Sequence, residues 1–448
     1  MECPIHDANG EPRSLASIEF TDFAQLEEYD EGYTVEYKSA LDESVKKKLP
    51  KIVASFSNAS GGWIFIGIGD KAPHTVECVK SSRTDYGQII GGIIRRRLSP
   101  LPRFDVRFVA DPDDGEHGVI VIEVSEGPEP PYIANGSVYV RVASSSEEFM
   151  EKADSYVLIE LQRKARNTMS DIDDFCHRSV YVPPVHVYDG VPSYDLPVYD
   201  VYLKRLSAPR EPIPYQRIDE ISSKMCEIFQ EGFGDRCVCQ RAHSSLLFHK
   251  PLYNSVDGAS PILELFYDGS IKLCLPMNLL QANEREMHLK RLSGIQPINN
   301  KVLVQLLDGK SCLVKVLLGC QVIDGYFGYV GRDVYDYAYA VEFENMQGCM
   351  IDFDNMHFDE YVIENGIPFI GTLDERTKPR ILHRHSEEEP CSLSELAVIS
   401  FQEALGLPFA TADENARDRT LLIEYGDLYK PSHIKGEFRS QENPKHDI

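Results

Sequence analysis

The run from Val53 to Asp70, Val-Ala-Ser-Phe-Ser-Asn-Ala-Ser-Gly-Gly-Trp-Ile-Phe-Ile-Gly-Ile-Gly-Asp, constrains this chain more than any other segment. Val45, Leu49, Ile52, Val53 and Phe56 recur at helical spacing and predict an amphipathic helix over residues 42–58. Gly61-Gly62 stops it, and the apolar residues 63–68 then read as a buried strand bounded by glycines. Upstream, residues 33–39 alternate as a half-buried strand does. A helix is therefore bracketed by two strands.

The neighbouring segments complete an α+β unit. A short helix is expected over residues 21–29, with Thr21 or Asp22 as its cap. A second helix is expected over 85–98, ended by Pro100 and Pro102. Residues 103–110 and 119–124 read as a strand pair around the acidic loop 111–116. Residues 137–142 read as a last strand and 147–167 as a closing helix. Polar, aperiodic residues 168–174 mark a domain boundary.

Beyond it, residues 183–197 read as an extended segment and 215–231 as a helix. Asp268-Gly269 and Asp308-Gly309, each between strand-forming residues, predict two hairpins, at 263–275 and 302–317. The second region is therefore expected to be α+β with a largely antiparallel sheet. An acidic cluster, Glu387 to Glu389, precedes a helix expected over 393–405, and residues from 411 onward lack periodicity. The expected division is an N-terminal extension (1–20), a first domain (21–170), a second domain (175–390), and a helix with a polar tail (391–448).

Length and charge narrow the function classes. At 448 residues the chain exceeds the usual size of one core. Its net charge of -25 excludes coating of nucleic acid by bulk electrostatics, so any such site must be a local basic patch. The first residues lack the basic flank and apolar run of a secretory signal, and the apolar stretches 63–68 and 312–320 are too short for a bilayer. Eleven cysteines without a framework spacing read as reduced thiols. These features together give the expectation of a cytoplasmic protein.

In Thr34-Val35-Glu36-Tyr37-Lys38, alternation places Glu36 and Lys38 on one strand face. Glu31 precedes Glu36 by five residues, and Asp70 ends the apolar strand. If the two strands are neighbours, three carboxylates converge as a site for Mg²⁺ or Mn²⁺, with Lys38 supporting a scissile phosphate. Taken alone, Glu-x-Lys in a strand is a weak signal and reads first as a surface ion pair.

The full order of Glu31, Thr-Val-Glu-Tyr-Lys, the helix, Asn58, Gly61-Gly62, the apolar strand and Gly-Ile-Gly-Asp resembles the Schlafen/AlbA-type domain. Pro100, residues 119–124, Pro131-Tyr132 and Tyr139-Val140-Arg141 extend the likeness over residues 20–165. In family members that cut transfer or ribosomal RNA, two glutamates and an aspartate bind the metal. The resemblance implies Glu31, Glu36 and Asp70 in those roles, with Lys38 beside them. Other members are known as DNA-binding or ATP-binding proteins. Where the family continues with glycine after Arg141, this chain has Val142. Lys46, Lys47 and Lys48 on the first helix, Arg95, Arg96 and Arg97 on the second, and Arg141 are the candidate nucleic-acid contacts. The bland reading of the two clusters is solvated helix ends.

Other motifs carry less. Cys237, Cys239, His243 and His249 match no common zinc spacing, and Cys-x-Cys in a strand suits core packing. Gly67-Ile68-Gly69 reads as close backbone approach, since no third glycine opens a helix. Gly309-Lys310-Ser311 is not a phosphate-binding loop, since Val304 stands where that loop's first glycine would be. The aromatics Tyr326, Phe327, Tyr329, Tyr335, Tyr337 and Tyr339 could stack bases, but alternation over residues 335–339 argues more simply for one strand face, and Trp63 reads as core. Three readings remain open. The first is a binder of RNA or DNA implied by resemblance to be a metal-dependent endoribonuclease. The second is a non-catalytic nucleic-acid sensor, transcriptional regulator or ATP-binding member, and the third an interaction scaffold. A homo-oligomer is compatible with each, and no membrane partner is expected.

Overall fold

The computed structural model describes residues 3–10, 12–142, 149–176, 187–188, 191–192, 197–206, 213, 217–234, 236–251, 260–280, 282–298, 305–331, 336–354, 356–367, 375–381, 393, 396–397 and 400–401. The chain divides into two compact units, Met1–Asp174 and Phe175–Ile448.

The first unit is built on the segment that dominates the sequence. Strand β1 (Val35–Lys38) leads into α1 (Glu43–Asn58), and α1 returns the chain to β2 (Gly62–Ile66), parallel to β1 with Glu36 opposite Ile64. The carboxylate of Asp42 caps α1 by accepting from Val45 N at 2.7 Å. Pro50 lies inside α1 and removes one helical donor. The burial of Leu49, Ile52, Val53 and Phe56 keeps the helix intact. Gly61 has φ +78°, and a side chain on Gly62 would strike the Phe56 ring.

The remaining elements are β3 (Val79–Lys80), α2 (Tyr86–Arg95), β4 (Leu98–Ser99), β5 (Phe104–Ala110), β6 (His117–Val124), β7 (Ile133–Ala134), β8 (Ser137–Arg141), β9 (Met150–Lys152) and α3 (Ser155–Cys176). β6 pairs antiparallel with β2, β3 and β5, leaving β1 at the edge of the main sheet. β4, β7, β8 and β9 form a second small sheet. Its β7–β8 hairpin turns at Asn135-Gly136, both at positive φ as a two-residue turn requires.

The main sheet is covered on both faces. Ile64, Ile66, Ile120 and Ile122 pack against α1 and α2, while Val35, Tyr37, Trp63 and Phe65 pack against Phe23 and Leu26. Residues 1–20 are not a mere extension: Cys3, Ile5 and Ile18 are buried in that second layer. The Arg107 guanidinium donates to the carbonyls of Leu15, Ala16 and Ile18. The short helix expected at 21–29 is a 3-10 helix at Phe20–Leu26. Asp22 does not cap it at the first position; its carboxylate accepts from Glu19 N.

Asn58 ties the end of α1 to the small sheet. Its amide donates to the carbonyls of Tyr132 and Tyr139, each at 2.9 Å, and accepts from Tyr132 N at 2.7 Å. The closing helix α3 extends to Cys176 instead of ending at Asn167. Burial of Ile172, Phe175 and Cys176 carries it across the polar stretch expected to be the boundary.

In the second unit a two-residue ribbon joins β10 (Val187–Tyr188) and β11 (Val191–Pro192). The main sheet comprises β12 (Val198–Arg205), β13 (Val238–Arg241), β14 (Ser245–His249), β15 (Ile262–Phe266), β16 (Ile271–Pro276), β18 (Tyr337–Glu344), β20 (Glu375–Arg376) and β21 (Arg380–Ile381). All of its pairings are antiparallel. β17 (Gln305–Asp308) pairs in parallel with β19 (Cys349–Asp352). The helices are α4 (Ile218–Phe233), α5 (Ala282–Ile295), α6 (Gly309–Val330) and α7 (Met356–Asn365). α4 and α6 supply Phe229, Val316 and Ile323 to the core, against Val201, Leu263 and Val341 of the sheet. Both units are α+β.

The hairpin at Asp268-Gly269 forms, with Gly269 at φ +84°. The one expected at Asp308-Gly309 does not. Asp308 instead caps α6, its carboxylate accepting from Ser311 N at 3.2 Å, so the run 312–320 is helical. Length and composition would let α6 cross a bilayer, but Cys312, Leu313, Val316 and Cys320 are fully packed in the core. Tyr326, Phe327 and Tyr329 therefore lie on a helix, apart from the strand that carries Tyr337 and Tyr339. The segment 183–197 falls largely outside the described residues, as do Tyr335 and the tail from 411. The described residues within 393–405 are helical.

The sheet face opposite α4 and α6 is buried and polar, with Asp200, Tyr202, Lys272 and Glu342. The Tyr202 hydroxyl donates to Glu342 Oε2 at 2.8 Å. Burial, reinforced by Glu344, pushes the Asp200 carboxyl up to about 8.

Two stability outcomes follow. Asn58→Ala leaves three buried backbone groups unmet and lowers unfolding free energy by about 2–4 kcal/mol in urea titrations. Asp200 stays protonated in the fold where the unfolded chain ionises, so its contribution is intact below about pH 4 and is lost as pH rises toward about 8. Asp200→Asn therefore stabilises, by an increment that grows from about pH 5 to 8 and then levels.

Candidate functional site

Strand alternation turns Val35 and Tyr37 into the core and leaves Glu36 and Lys38 on the α1 face of the edge strand. The turn before β1 folds back so that Glu31 Oε1 accepts from Tyr37 N at 2.6 Å. Lys38 Nζ then lies 3.0 Å from Glu36 Oε1 and 3.6 Å from Glu31 Oε1. It also donates to its neighbour's carbonyl, Tyr37 O. Glu31, Glu36 and Lys38 are thus one cluster.

Arg141, at the end of β8, closes the cluster from behind. Its Nη1 donates to Glu36 Oε2 at 2.8 Å and its Nη2 to Gly32 O. The guanidinium lies 4.4 Å from the Phe56 ring centroid, and the side chain is fully buried. Arg141, expected to contact nucleic acid, instead spends its charge on Glu36.

Asp70 stands slightly apart. Its Oδ1 accepts from Ser39 N at 2.9 Å and fixes the chain leaving β1. The preceding Gly67 and Ile68 donate to Lys38 O, so the Gly-x-Gly serves close backbone approach as expected. The charge of Asp70 is still felt by both Glu31 and Lys38.

The electrostatics follow from burial. Desolvation, then the neighbouring Glu36, raise the Glu31 carboxyl, with Lys38 and the Tyr37 amide opposing. For Lys38, desolvation acts to lower its value, but Glu36 and Glu31 together raise it, so the ammonium stays charged. Three carboxylates share two cations, and the cluster remains anionic.

Among the described residues no three His, Cys, Asp or Glu side chains are arranged to hold a metal ion. The ligand set Glu31, Glu36 and Asp70 for Mg²⁺ or Mn²⁺ is therefore not assembled in this arrangement. The Lys38 ammonium sits between the two glutamates, and Asp70 is engaged by Ser39. Cys237 and Cys239 pack against the second unit's core.

The basic residues sort into two kinds. Lys46 is tied to Glu43 at 2.8 Å. Lys47, Lys48, Arg95, Arg96 and Arg97 are exposed, and Lys48 and the three arginines make no ion pair among the described residues. Lys51, which no sequence motif singles out, lies 5.3 Å from the ring centroid of Tyr139 on β8. Residues 44–104 hold eleven Lys and Arg against three Asp and Glu, in a chain of net charge -25.

Residues 31–151 match the family model described as Schlafen, AlbA_2, so the first unit contains a domain of that type. The match begins at Glu31 and spans the whole cluster together with Arg141.

Two outcomes test this geometry. Arg141→Gln strands Glu36 and costs about 3–5 kcal/mol in urea unfolding, whereas Arg96→Gln changes stability by less than about 0.5 kcal/mol. For Glu31, a carboxyl raised in the fold contributes stability below the unfolded value of about 4.3 and loses it as pH climbs through its folded value. Glu31→Gln is accordingly stabilising at pH 7, and the gain disappears below about pH 4.

Proposed function

We propose that the first unit binds nucleic acid, single-stranded RNA in the first place, through the exposed cations of α1 and α2. The observation that carries this is the charge of residues 44–104, positive within a strongly acidic chain. Phosphates are drawn to Lys48 and Arg95 to Arg97, exposed cations with no ion pair among the described residues, while the acidic remainder of the chain repels them. Binding of this kind supplies affinity without sequence preference.

A second reading, hydrolysis of the bound strand with Mg²⁺ or Mn²⁺, is favoured by one feature, the meeting of Glu31 and Glu36 in a cluster short of positive charge. It requires Lys38 to leave the glutamates. Glu31 and Glu36 would then hold the cation, which would supply charge stabilisation at the scissile phosphate.

Gel-shift titration of the full chain with a labelled 20-nucleotide RNA tests the first reading. Lys48→Glu combined with Arg96→Glu weakens binding at least tenfold, and unchanged affinity would sink the proposal. Incubating the same RNA with Mn²⁺ or with EDTA tests the second. Products that need Mn²⁺ and vanish in Glu36→Gln support hydrolysis, and intact RNA in both removes it.

A further inference from the structure

The first unit contains a cavity of about 590 Å³ that the binding strip does not use. Its size falls within the range of about 300–1,000 Å³ typical of small-molecule sites. One wall is the end of β8, with Val140, Arg141 and Val142, and another is the C-terminal end of α1 at Asn58 and Ala59. The third is a single face of α3, where Val157, Leu161, Lys164 and Thr168 recur at helical spacing. Tyr33, more than a third exposed, stands at the lining as an aromatic surface.

The charges of the cavity disfavour an anion. Its cations are already engaged: Arg141 with Glu36, Arg163 with Glu160 at 2.6 Å, and Lys164 with Glu126 at 2.6 Å. Glu151 and Asp171 add negative charge to the lining. What remains is an apolar interior, the Tyr33 ring, and neutral polar groups on Asn167 and Thr168. Arg141 Nε is also buried in the wall with no hydrogen-bond partner among the described residues. A flat, neutral ring with polar edges fits this chemistry, and a phosphate does not.

We infer that this cavity accepts one unstacked nucleobase of the bound strand, stacked on Tyr33 and held at its edge by polar groups of α3. The inference rests on the RNA-binding reading and gives it a specificity pocket. Single-stranded RNA is recognised in this way when splayed bases stack on aromatic side chains and hydrogen-bond at their edges. The pocket also borders the carboxylate cluster, because Arg141 belongs to the wall of one and to the ion pairs of the other.

The test uses the full chain and two variants that leave the cluster and the basic strip intact, Tyr33→Ala and the cavity-filling Val157→Trp. Affinities are measured for a 20-nucleotide RNA and for the same backbone with all bases removed. Circular dichroism melting checks that both variants are folded. Each variant is expected to weaken the intact RNA about tenfold, the size of one base–aromatic stack, and to leave the abasic strand unchanged. Competition by millimolar adenosine or uridine supports the same pocket.

Equal binding of intact RNA by wild type and both variants, with binding still lost in the Lys48 and Arg96 double variant, overturns the pocket and leaves the binding reading standing. No RNA binding by the wild type overturns both. A nucleoside that binds but is not displaced by RNA overturns the strand-held form of the proposal.

Discussion

The buried pairing of Arg141 with Glu36 is the interaction on which the first unit depends. It links the edge strand of the main sheet to β8 of the small sheet, two elements more than a hundred residues apart in sequence. Gly62 lets Phe56 come close, Phe56 supports the guanidinium, the guanidinium fixes Glu36, and Glu36 with Glu31 holds Lys38. Asn58 acts in parallel, satisfying the backbone of the same strand region from the end of α1. A charge buried this deeply is tolerated only because carboxylate, carbonyl and aromatic partners replace the water it gave up.

Much of this was legible in the sequence because local signals and packing agree. The Asp42 cap, the apolar face of α1, Gly61-Gly62 and the continuous apolar strand each require the same strand–helix–strand path, and even Pro50 does not divert it. Alternation in β1 correctly put Glu36 and Lys38 on one face. The sequence could not reveal that Arg141 would turn inward, since its partner lies far away in the chain and a basic residue near a candidate ligand site reads as exposed.

The misreadings have physical causes. Asp-Gly favours a hairpin only if strands pair on both sides. At Asp308 the carboxylate found the Ser311 amide and started a helix, whose apolar residues had looked like a strand. α3 runs through residues 168–174 because Ile172, Phe175 and Cys176 are buried, while the two compact units divide after Asp174. The carboxylates Glu31 and Glu36 met as the five-residue spacing suggested, but around an ammonium, and the backbone amide of Ser39 took up Asp70.

On the proposed reading, acidity of the whole chain and positive charge of one segment together confine nucleic acid to a small surface of the first unit. The salt dependence of RNA affinity tests this most directly, because each neutralised phosphate on a single strand contributes about -0.7 to the slope of log K against log salt. With Lys48 and Arg95 to Arg97 as the contacts, the slope is expected at about -2 to -3 between 50 and 200 mM salt. A slope near zero, or no binding at the lowest salt, would contradict the account.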